Sequence, residues 1–557
     1  MQHKLLVYQV LPRLFGNMNP TRKESGSVAE NGCGKFSAFT LARLKALRSQ
    51  GFSHIWYTGV LRHATQTDYS AFRIPRQHVD VVKGKAGSPY AVVDYYDVDP
   101  DLADDIPCRM QEWQALIART HAAGLKVMID FVPNHVAREY QSIAKPTGIS
   151  DLGEKDDSSK HFSVQNNFYY CWGQPLNLEN IAKHSSYIEQ PAKATGNDCF
   201  HATPQKSDWY ETIKLNYGID YCDAVGRSEH FSPMPRTWMM MLDILLFWAS
   251  KGIDAFRCDM VEMVPAAFWQ YATSEVKRLF PHVSFIGEVY NPSLYRLYIR
   301  SGFDYLYDKV GMYDCLRSVV RGECDATAIT QVWQATDDIH THMLYFLENH
   351  DEQRIASDFF AQDGQLVLPA VAVALLLRTN PFMLYFGQEY GERGMDKEGF
   401  SGVDGRTTIF DYWALDTLLR AQAVPQQLTS TELQLKKCYE KLLRIAAEEK
   451  LIQEGEFFDL MYANLNRSDF DTHTEYAFIR HTEHDKLLVI VNFASEDKFT
   501  GVFLPAHAFD CCRLPLLYNV KACDLLTGAV VELPLRRDAA LYVDVPAFGM
   551  RILKFSV

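Results

Sequence analysis

The sequence lacks the cysteine patterns of metal sites and of disulfide frameworks. Its 12 cysteines include no CxxC pair, and the only adjacent pair is Cys511 and Cys512. Structural zinc sites and small disulfide-rich domains both depend on closely spaced cysteines. The scatter argues against both kinds of site and favours a reducing compartment.

Long hydrophobic runs are also missing. The longest, residues 366–377, contains Pro369 and is closed by Arg378, so it is too short to span a bilayer. The amino terminus enters an apolar strand at once, without the long apolar region and small-residue cleavage site of a signal peptide. We therefore expect no membrane partner and a cytoplasmic location.

Positive charge is in the minority. The chain has 56 lysines and arginines against 69 aspartates and glutamates, a net charge of -13. This acidity argues against nucleic acid or an anionic membrane as a partner and favours a neutral or cationic ligand. Aromatic residues reach 13%, which suits a cleft that stacks on flat ligand faces such as sugar rings, although most of these rings are expected in the core.

What the chain does contain is a repeated alternation of apolar, strand-like segments and helical patterns. Alternation of this kind predicts parallel strands joined by helices, and eight such units predict an α/β fold of the (β/α)8 TIM barrel type. The predicted strands are 5–10, 55–58, 126–131, 252–259, 283–290, 303–307, 343–351 and 381–389.

Two regions depart from this alternation. Residues 137–225 are polar, aromatic-rich and without a clear period, and they are too long for a plain loop, so we predict a domain inserted after strand three. From residue 455 the hydrophobic period shifts towards two, which predicts a C-terminal antiparallel β-sandwich over 455–557. Residues 1–136 and 226–454 are then left for the catalytic barrel.

The strand that ends in Arg257 and Asp259 organises the functional prediction. Side chains alternate along a strand, so these two share one face. A guanidinium beside a carboxylate keeps the carboxylate ionised, as a nucleophile requires. A structural ion pair would give the same local pattern, so this strand alone leaves both readings open.

Acidic residues recur at the same end of several predicted strands. Asp130, Asp259, Glu288 and Asp351 follow strands three, four, five and seven. Barrel enzymes place their chemistry at the C-terminal ends of strands, whereas structural ion pairs would occur at both ends of the barrel. The one-sided distribution therefore predicts an active site.

The short motifs that carry these acids resemble those of the α-amylase superfamily of retaining glycoside hydrolases, a group that includes neopullulanase-like enzymes. The matching segments occur in the family's order, on the expected strands, and the resemblance covers essentially the whole chain. They are residues 130–135, 256–259, 287–288 and 349–351.

The resemblance implies roles for individual residues. Asp259 matches the catalytic nucleophile, Glu288 the general acid/base and Asp351 the third catalytic carboxylate. Retention requires the first two about 5 to 5.5 Å apart, with Glu288 protonated at rest. Tyr90 matches the tyrosine that stacks under the sugar at the cleavage point. The residues that the resemblance places in substrate binding are Tyr90, Asp130, His135, Arg257 and His350.

The sequence departs from the family at some positions. Many members carry a Lys-His pair shortly after the nucleophile, where this chain has Glu262 and Met263, which leaves the leaving-group subsites undefined. Residues 214–216 resemble the inserted-domain motif of members that accept both α-1,4 and α-1,6 bonds. Asn134 matches a residue that often helps to hold calcium. Structural calcium stays an open expectation because no recognisable loop of oxygen ligands is present.

The expected function is a retaining α-glucan hydrolase that cuts α-1,4 bonds of maltooligosaccharides or starch, with no cofactor needed for the chemistry. The nearest alternatives are a 4-α-glucanotransferase and a mixed α-1,4/α-1,6 activity. A non-catalytic glucan-binding relative is the alternative of another class. Sequence does not define the oligomeric state, chain-length preference or linkage preference.

Overall fold

Eight parallel strands close into a barrel in the computed structural model, which describes residues 4–516 and 519–556. Each strand pairs with its neighbours in sequence, and the first pairs with the last, with Leu6 opposite Phe382. The barrel strands are β1 (Leu6–Val10), β2 (His54–Tyr57), β3 (Lys126–Phe131), β4 (Ala255–Cys258), β5 (Ser284–Gly287), β6 (Tyr305–Tyr307), β7 (Met343–Phe346) and β8 (Phe382–Tyr385). The predicted (β/α)8 barrel is confirmed.

The strands are almost continuously apolar because a parallel barrel is covered on its outer face and filled with side chains inside. β4 lies between β3 and β5, and Arg257 stands opposite Asp130 on one side and Ile286 on the other. All eight strands run the same way, so their C-terminal ends open onto one face of the barrel.

Several strands end earlier than the sequence pattern predicts. β5 stops at Gly287 and β7 at Phe346, whereas the apolar pattern extends both into the acidic motifs. Glu288 and Asp351 therefore stand in the segments that follow the strands. A strand-like composition does not reveal where ladder pairing stops and the chain turns into the cleft.

Helices surround the barrel and connect its strands. Most of them carry one buried face and one exposed face, as expected for helices that cover a barrel. The helices are Pro12–Phe15, Val28–Asn31, Leu41–Ser49, Arg109–Ala122, Arg236–Ser250, Ala266–Leu279, Tyr295–Arg300, Asp314–Val320, Ala328–Ala335, Leu368–Leu376, Asp416–Gln422, Ser430–Glu448, Lys450–Gln453, Met461–Asn464 and Ala506–Cys512. No helix in the described ranges is long and apolar enough to cross a membrane.

The segment between β3 and the helix Arg236–Ser250 contains only short antiparallel pairs. One of its strands, Thr212–Lys214, pairs with His135–Ala137, which begins at the last residue of the motif 130–135. The other pairs of this segment are Tyr170–Cys171 with Ala192–Lys193 and Ile219–Asp220 with Ser228–Glu229. A further pair, Leu61–His63 with Val92–Val98, belongs to the loop after β2.

Antiparallel strands form the C-terminal part of the chain. Six strands build one sheet in the order β9-β10-β11-β16-β13-β14, and β12 pairs with β15. These strands are β9 (Glu456–Asp459), β10 (Glu475–His481), β11 (Asp485–Asn492), β12 (Lys498–Leu504), β13 (Val520–Asp524), β14 (Val530–Leu533), β15 (Ala539–Val545) and β16 (Gly549–Ser556). The domain boundaries given above stay predictions.

The helix Leu368–Leu376 joins this sheet to the barrel. Its residues from Pro369 to Leu376 are all buried, and it contacts β11 and β16 as well as β7. A helix that is apolar all round needs cover on every side. At the C-terminal end of this helix, Nη1 of Arg480 in β10 donates to the carbonyls of Leu377 at 3.1 Å and Leu376 at 3.5 Å. Its Nη2 atom donates to the carbonyl of Ile452, in the helix Lys450–Gln453, at 3.3 Å.

Candidate active site

Arg257 lies at the centre of the polar cluster at the C-terminal ends of the strands. It belongs to β4 and its side chain is fully buried. Its Nη1 atom lies 2.7 Å from Oδ1 of Asp259 and 3.7 Å from Oδ1 of Asp130. Its Nη2 atom lies 2.9 Å from Oε2 of Glu288, an ion pair without hydrogen-bond alignment. One guanidinium thus faces carboxylates from three neighbouring strands.

Asp259 and Glu288 leave adjacent strands side by side. Cys258 is in register with Gly287, and the N–H of Glu288 donates to the carbonyl of Cys258 at 3.1 Å. Neighbouring strands lie about 4.8 Å apart. The two side chains are buried, with 6% and 3% of their residues' surface exposed. The structure therefore brings the two acids to one guanidinium and to the same end of the barrel.

The closeness of these acids affects their ionisation. Burial raises the pKa of Asp259 well above its usual range, and the charge of Glu288 raises it further, while Arg257 acts in the opposite direction. Asp259 therefore holds a proton to a higher pH than an isolated aspartate does.

Both oxygens of Glu288 have hydrogen-bond donors. The hydroxyl of Tyr290 donates to Oε1 at 2.7 Å, and the N–H of Met260 donates to Oε2 at 2.8 Å. Met260 adopts the left-handed conformation, with φ of 43°, which is uncommon for a residue other than glycine. Backbone strain of this kind is frequent at functional sites, and here it aims an N–H at the carboxylate.

A second group of side chains forms the opposite wall around His350. Its Nε2 atom lies 2.9 Å from Oδ2 of Asp351 and 2.7 Å from the hydroxyl of Tyr90. That hydroxyl also lies 3.2 Å from Oδ1 of Asp130. The rings of Tyr90 and His350 stack, with centroids 5.1 Å apart, so at most one face of Tyr90 is left for a ligand.

Asp351 and Asp130 differ in environment. Burial raises the pKa of Asp351, but the charge and hydrogen bond of His350 outweigh it and hold the pKa below its usual value. The side chain of Asp351 is 42% exposed. Asp130 is enclosed, accepts from Trp56 Nε1 at 3.2 Å and from the N–H of Gly59 at 3.1 Å, and burial raises its pKa. Asp351 is therefore the ionised carboxylate that a ligand can reach.

His135 lies on the side of the cleft formed by the inserted segment. Its ring packs against Trp209, with centroids 5.2 Å apart. Burial and the nearby charges of Lys214 and Lys83 lower its pKa to about 3, so the ring is neutral at neutral pH. A neutral histidine has one donor and one acceptor nitrogen.

Six of the predicted residues line a cavity of about 230 Å³, whereas Asp130, Asn134 and Arg257 lie behind that lining. A larger cavity of about 720 Å³ lies between the helix Ala328–Ala335 and β9, but none of the motif residues line it. The lining of the smaller cavity includes seven of the predicted side chains or their direct partners: Tyr90, His135, Asp259, Glu288, Tyr290, His350 and Asp351.

Asn134 does not fit the calcium ion expected from the family. Its Oδ1 atom accepts a hydrogen bond from Nζ of Lys214 at 2.8 Å, and the same ammonium lies 2.6 Å from Oδ1 of Asp198. Calcium needs six to eight oxygen ligands, and a buried lysine at these two oxygens repels a second cation. The amide oxygen that would face the metal already faces a positive charge.

Several residues at the site were not found from the sequence. Tyr290 carried a usable signal, because it stands two positions after Glu288 in a segment with strand periodicity. Met260 carried none, since its contribution is a backbone N–H. Glu262 stands where many family members have a lysine. Its Oε1 atom accepts from the N–H groups of Tyr290 and Asn291, both at 2.5 Å, so it is bound to the protein backbone.

An ion pair between the loop after β2 and the inserted segment also borders the cleft. Nζ of Lys83 lies 3.0 Å from Oε1 of Glu211, and both side chains are largely buried. Together with Trp209 they line the cavity beside His135. A charged pair and an aromatic ring far apart in sequence give no local motif, so only the folded chain brings them together.

Comparison with known proteins gives a consistent result. The family model described as the α-amylase catalytic domain matches residues 9–441. An α-amylase, MalA, of Haloarcula japonica is 25% identical over 90% of this chain and 57% of its own length. A neopullulanase of Thermoactinomyces vulgaris is 20% identical over 70% of this chain and 57% of its own length.

A solved structure, a maltogenic α-amylase of Thermotoga neapolitana, has a TM-score of 0.64 at 18% identity and covers 100% of this chain and 99% of that one. At this identity the match shows a shared fold. The chain spans less than two thirds of the length of the two curated relatives.

Proposed function

The chain belongs to the α-amylase family, and on that premise we propose that it is a retaining α-glucan hydrolase that cleaves α-1,4 bonds of maltooligosaccharides or starch fragments. The observation that carries the proposal is the meeting of Asp259 and Glu288, from adjacent strands, at the guanidinium of Arg257. Adjacent strands lie about 4.8 Å apart, so side chains at their ends can supply the carboxylate separation of about 5 to 5.5 Å that retention requires.

In the first step a carboxylate oxygen of Asp259 attacks the anomeric carbon and the glycosidic C–O bond breaks. Glu288 gives its proton to the departing oxygen, so the leaving sugar ends as an alcohol. Asp259 needs to be ionised at this moment, and its hydrogen bond from Arg257 favours that form. The product of the step is a covalent glycosyl ester on Asp259.

In the second step water replaces the leaving sugar. Glu288, now a carboxylate, takes a proton from the water while its oxygen attacks the anomeric carbon and the ester bond to Asp259 breaks. Glu288 regains its proton and Asp259 its charge. The two inversions together retain the anomeric configuration.

The other motif residues hold the sugar. We assign Asp351, the exposed carboxylate, to sugar hydroxyls, and His350 and His135 to hydrogen bonds that strengthen in the transition state. We assign Tyr90 to stacking against the sugar, and its hydroxyl links Asp130 to His350. Tyr290 donates to Oε1 of Glu288 and orients this side chain.

Release of reducing sugar from soluble starch tests the proposal. The wild type is expected to release it and Asp259→Asn to have lost the activity. Asp254→Asn is the matched control, because Asp254 precedes β4 at the other end of the barrel and bonds His121 and the N–H of Val127, both at 2.8 Å. Equal activity of the wild type and Asp259→Asn would refute the role of Asp259.

A transferring or mixed-linkage enzyme would use the same residues. The similarity to a neopullulanase and the segment Lys214–Asn216 favour tests of linkage. Chromatography of the products from maltotriose separates the alternatives, since longer chains indicate transfer and shorter ones hydrolysis. Pullulan, which contains both linkages, reports whether α-1,6 bonds are cut.

A glucan-binding protein without catalysis is the alternative from another class. In that case the wild type and Asp259→Asn would bind maltooligosaccharides equally and neither would release reducing sugar. Calorimetry with maltooligosaccharides, run beside the starch assay, distinguishes this outcome from a third one. A folded protein with a different substrate would neither bind maltooligosaccharides nor release sugar from starch.

A further inference from the structure

Lys214 lies at the junction between the barrel and the inserted segment. It is the last residue of the strand Thr212–Lys214, and only 1% of its surface is exposed. Its ammonium touches Oδ1 of Asn134, just after β3, and Oδ1 of Asp198 in the inserted segment. The ring of Tyr221 lies 5.5 Å from Nζ and adds a cation–π contact. A buried cation therefore links three parts of the chain.

The ammonium fixes which way the amide of Asn134 points. Lysine is only a donor, so the atom that faces it has to be the amide oxygen. The other end of the amide confirms this orientation, because Nδ2 lies 2.7 Å from the carbonyl of Gly196, which is only an acceptor. The amide is thus oriented from both sides by groups with one hydrogen-bonding role each.

The oriented amide then acts on His135. Nδ2 of Asn134 lies 3.2 Å from Nδ1 of His135. Nδ2 carries hydrogen, so Nδ1 of His135 has to accept, and the ring hydrogen is on Nε2.

We propose that Lys214 is a positioning residue that stands in place of a divalent cation at this junction and, through Asn134, holds His135 in the tautomer with its hydrogen on Nε2. His135 then presents a hydrogen-bond donor at the cleft, where a neutral imidazole of the other tautomer would present an acceptor. The proposal rests on the proposed function only for what this donor binds, a sugar hydroxyl.

The register of the strands explains how the link is maintained. Lys214 is paired with His135 in the ladder between Thr212–Lys214 and His135–Ala137. The backbone therefore fixes the distance between the lysine and the histidine motif, and the side-chain path through Asn134 adds the direction. A metal ion at the same place would bind the amide oxygen of Asn134 and orient the amide in the same direction. The ammonium of Lys214 therefore orients this amide as a metal ion would.

The tautomer is measured by two-bond ¹H–¹⁵N correlation spectra of protein labelled with ¹⁵N-histidine. His135→Gln identifies the signal of His135 among the 18 histidines. The wild type is expected to show the Nε2–H pattern, and Lys214→Met, which keeps the length but not the charge, to show the Nδ1–H pattern or a mixture. Lys214→Arg keeps the donor and is expected to restore the wild-type pattern.

Lys193→Met is the matched control. Lys193 lies in the same inserted segment, is partly exposed, and reaches Glu189 at 3.8 Å without touching Asn134. Its removal should leave the His135 signal unchanged.

With maltooligosaccharides, Lys214→Met is expected to lower kcat about tenfold with little change in KM. This is the result for a hydrogen-bond donor that acts in the transition state more than in the ground state.

A separate experiment on the wild-type protein tests whether the junction at Lys214 binds calcium. The melting temperature of the protein should be the same in chelator and in added calcium. A melting temperature that falls in chelator, an Nδ1–H pattern in the wild type, or a Lys214→Met spectrum identical to the wild type would each overturn the proposal. The first two outcomes are decisive even if Lys214→Met fails to fold, and the spectra are independent of whether the protein hydrolyses glucans.

Discussion

Two buried arginines at the C-terminal end of the barrel have opposite surroundings. Arg257 faces three carboxylates, and two of them, Asp259 and Glu288, line a cavity. Arg354 is equally buried but faces one, with Nη1 at 2.7 Å from Oε2 of Glu348 and Nε donating to Thr407 at 2.7 Å. The other oxygen of Glu348 accepts from the N–H of Ile355 at 2.7 Å.

We interpret the difference as one between the proposed catalytic cluster and a structural ion pair. In the Arg354 pair the charges balance one to one and the carboxylate oxygens are satisfied within the protein. In the Arg257 cluster negative groups outnumber the positive one, which leaves proton-binding capacity and unfavourable repulsion at the cavity. Burial and ion pairing are common to both, so neither alone indicates function; the excess of one charge beside a cavity does.

The largest expected effect that tests this contrast is the loss of activity in Asp259→Asn, by about 10³-fold or more, because an amide does not form the glycosyl ester. Its stability should not fall, since the substitution removes one of two repelling buried acids. Starch hydrolysis and thermal melting measure the two effects. A large fall in melting temperature would mean that the cluster is structural.

Arg354→Met is expected to lower stability while leaving the activity of the folded protein unchanged. It leaves Glu348 buried without its charge partner, and breaking a buried pair in this way costs about 3–5 kcal/mol of stability. The fraction that stays folded should keep its kcat, because neither residue lines the substrate cavity. Denaturant unfolding and activity corrected for the folded fraction measure this. An unchanged stability would contradict the structural role.

Tyr290→Phe should have a smaller effect on the catalytic cluster. It removes the hydrogen bond to Oε1 of Glu288 and leaves that side chain less firmly oriented, so we expect kcat/KM to fall by about three- to tenfold. Tyr385→Phe is the control: the Tyr385 hydroxyl is buried and, in the described part of the chain, has no hydrogen-bond partner. Equal values for both variants would show that the contact has no role.

The smallest effect is a pH dependence of stability. The pKa of Asp259 is raised on folding, so the native protein binds a proton more tightly than the unfolded chain, whose aspartates titrate near about 3.9. Wild-type stability at this residue is therefore greatest below that pH and is lost as the pH rises through the folded pKa. The melting temperature of Asp259→Asn relative to the wild type should increase over the same range. A difference in melting temperature between the two proteins that does not change with pH would contradict this prediction.

The sequence predicted the barrel and the acids because both depend on local patterns. Asp130 and Asp259 end apolar strands, and the C-terminal ends of parallel strands meet on one face. It did not predict the partner of Asn134, because Lys214 is eighty positions away and nothing local distinguishes an amide that faces a metal from one that faces an ammonium. Strand pairing between the barrel and the inserted segment decides that contact.

The all-buried helix Leu368–Leu376 has a practical consequence for protein engineering. It is covered on one side by the C-terminal sheet, and Arg480 from that sheet satisfies carbonyls at its end. A chain cut near residue 455 would expose this apolar helix to water and leave those carbonyls without their donor. The barrel is therefore not a detachable unit, and attempts to shorten the protein should trim surface loops while retaining the sheet.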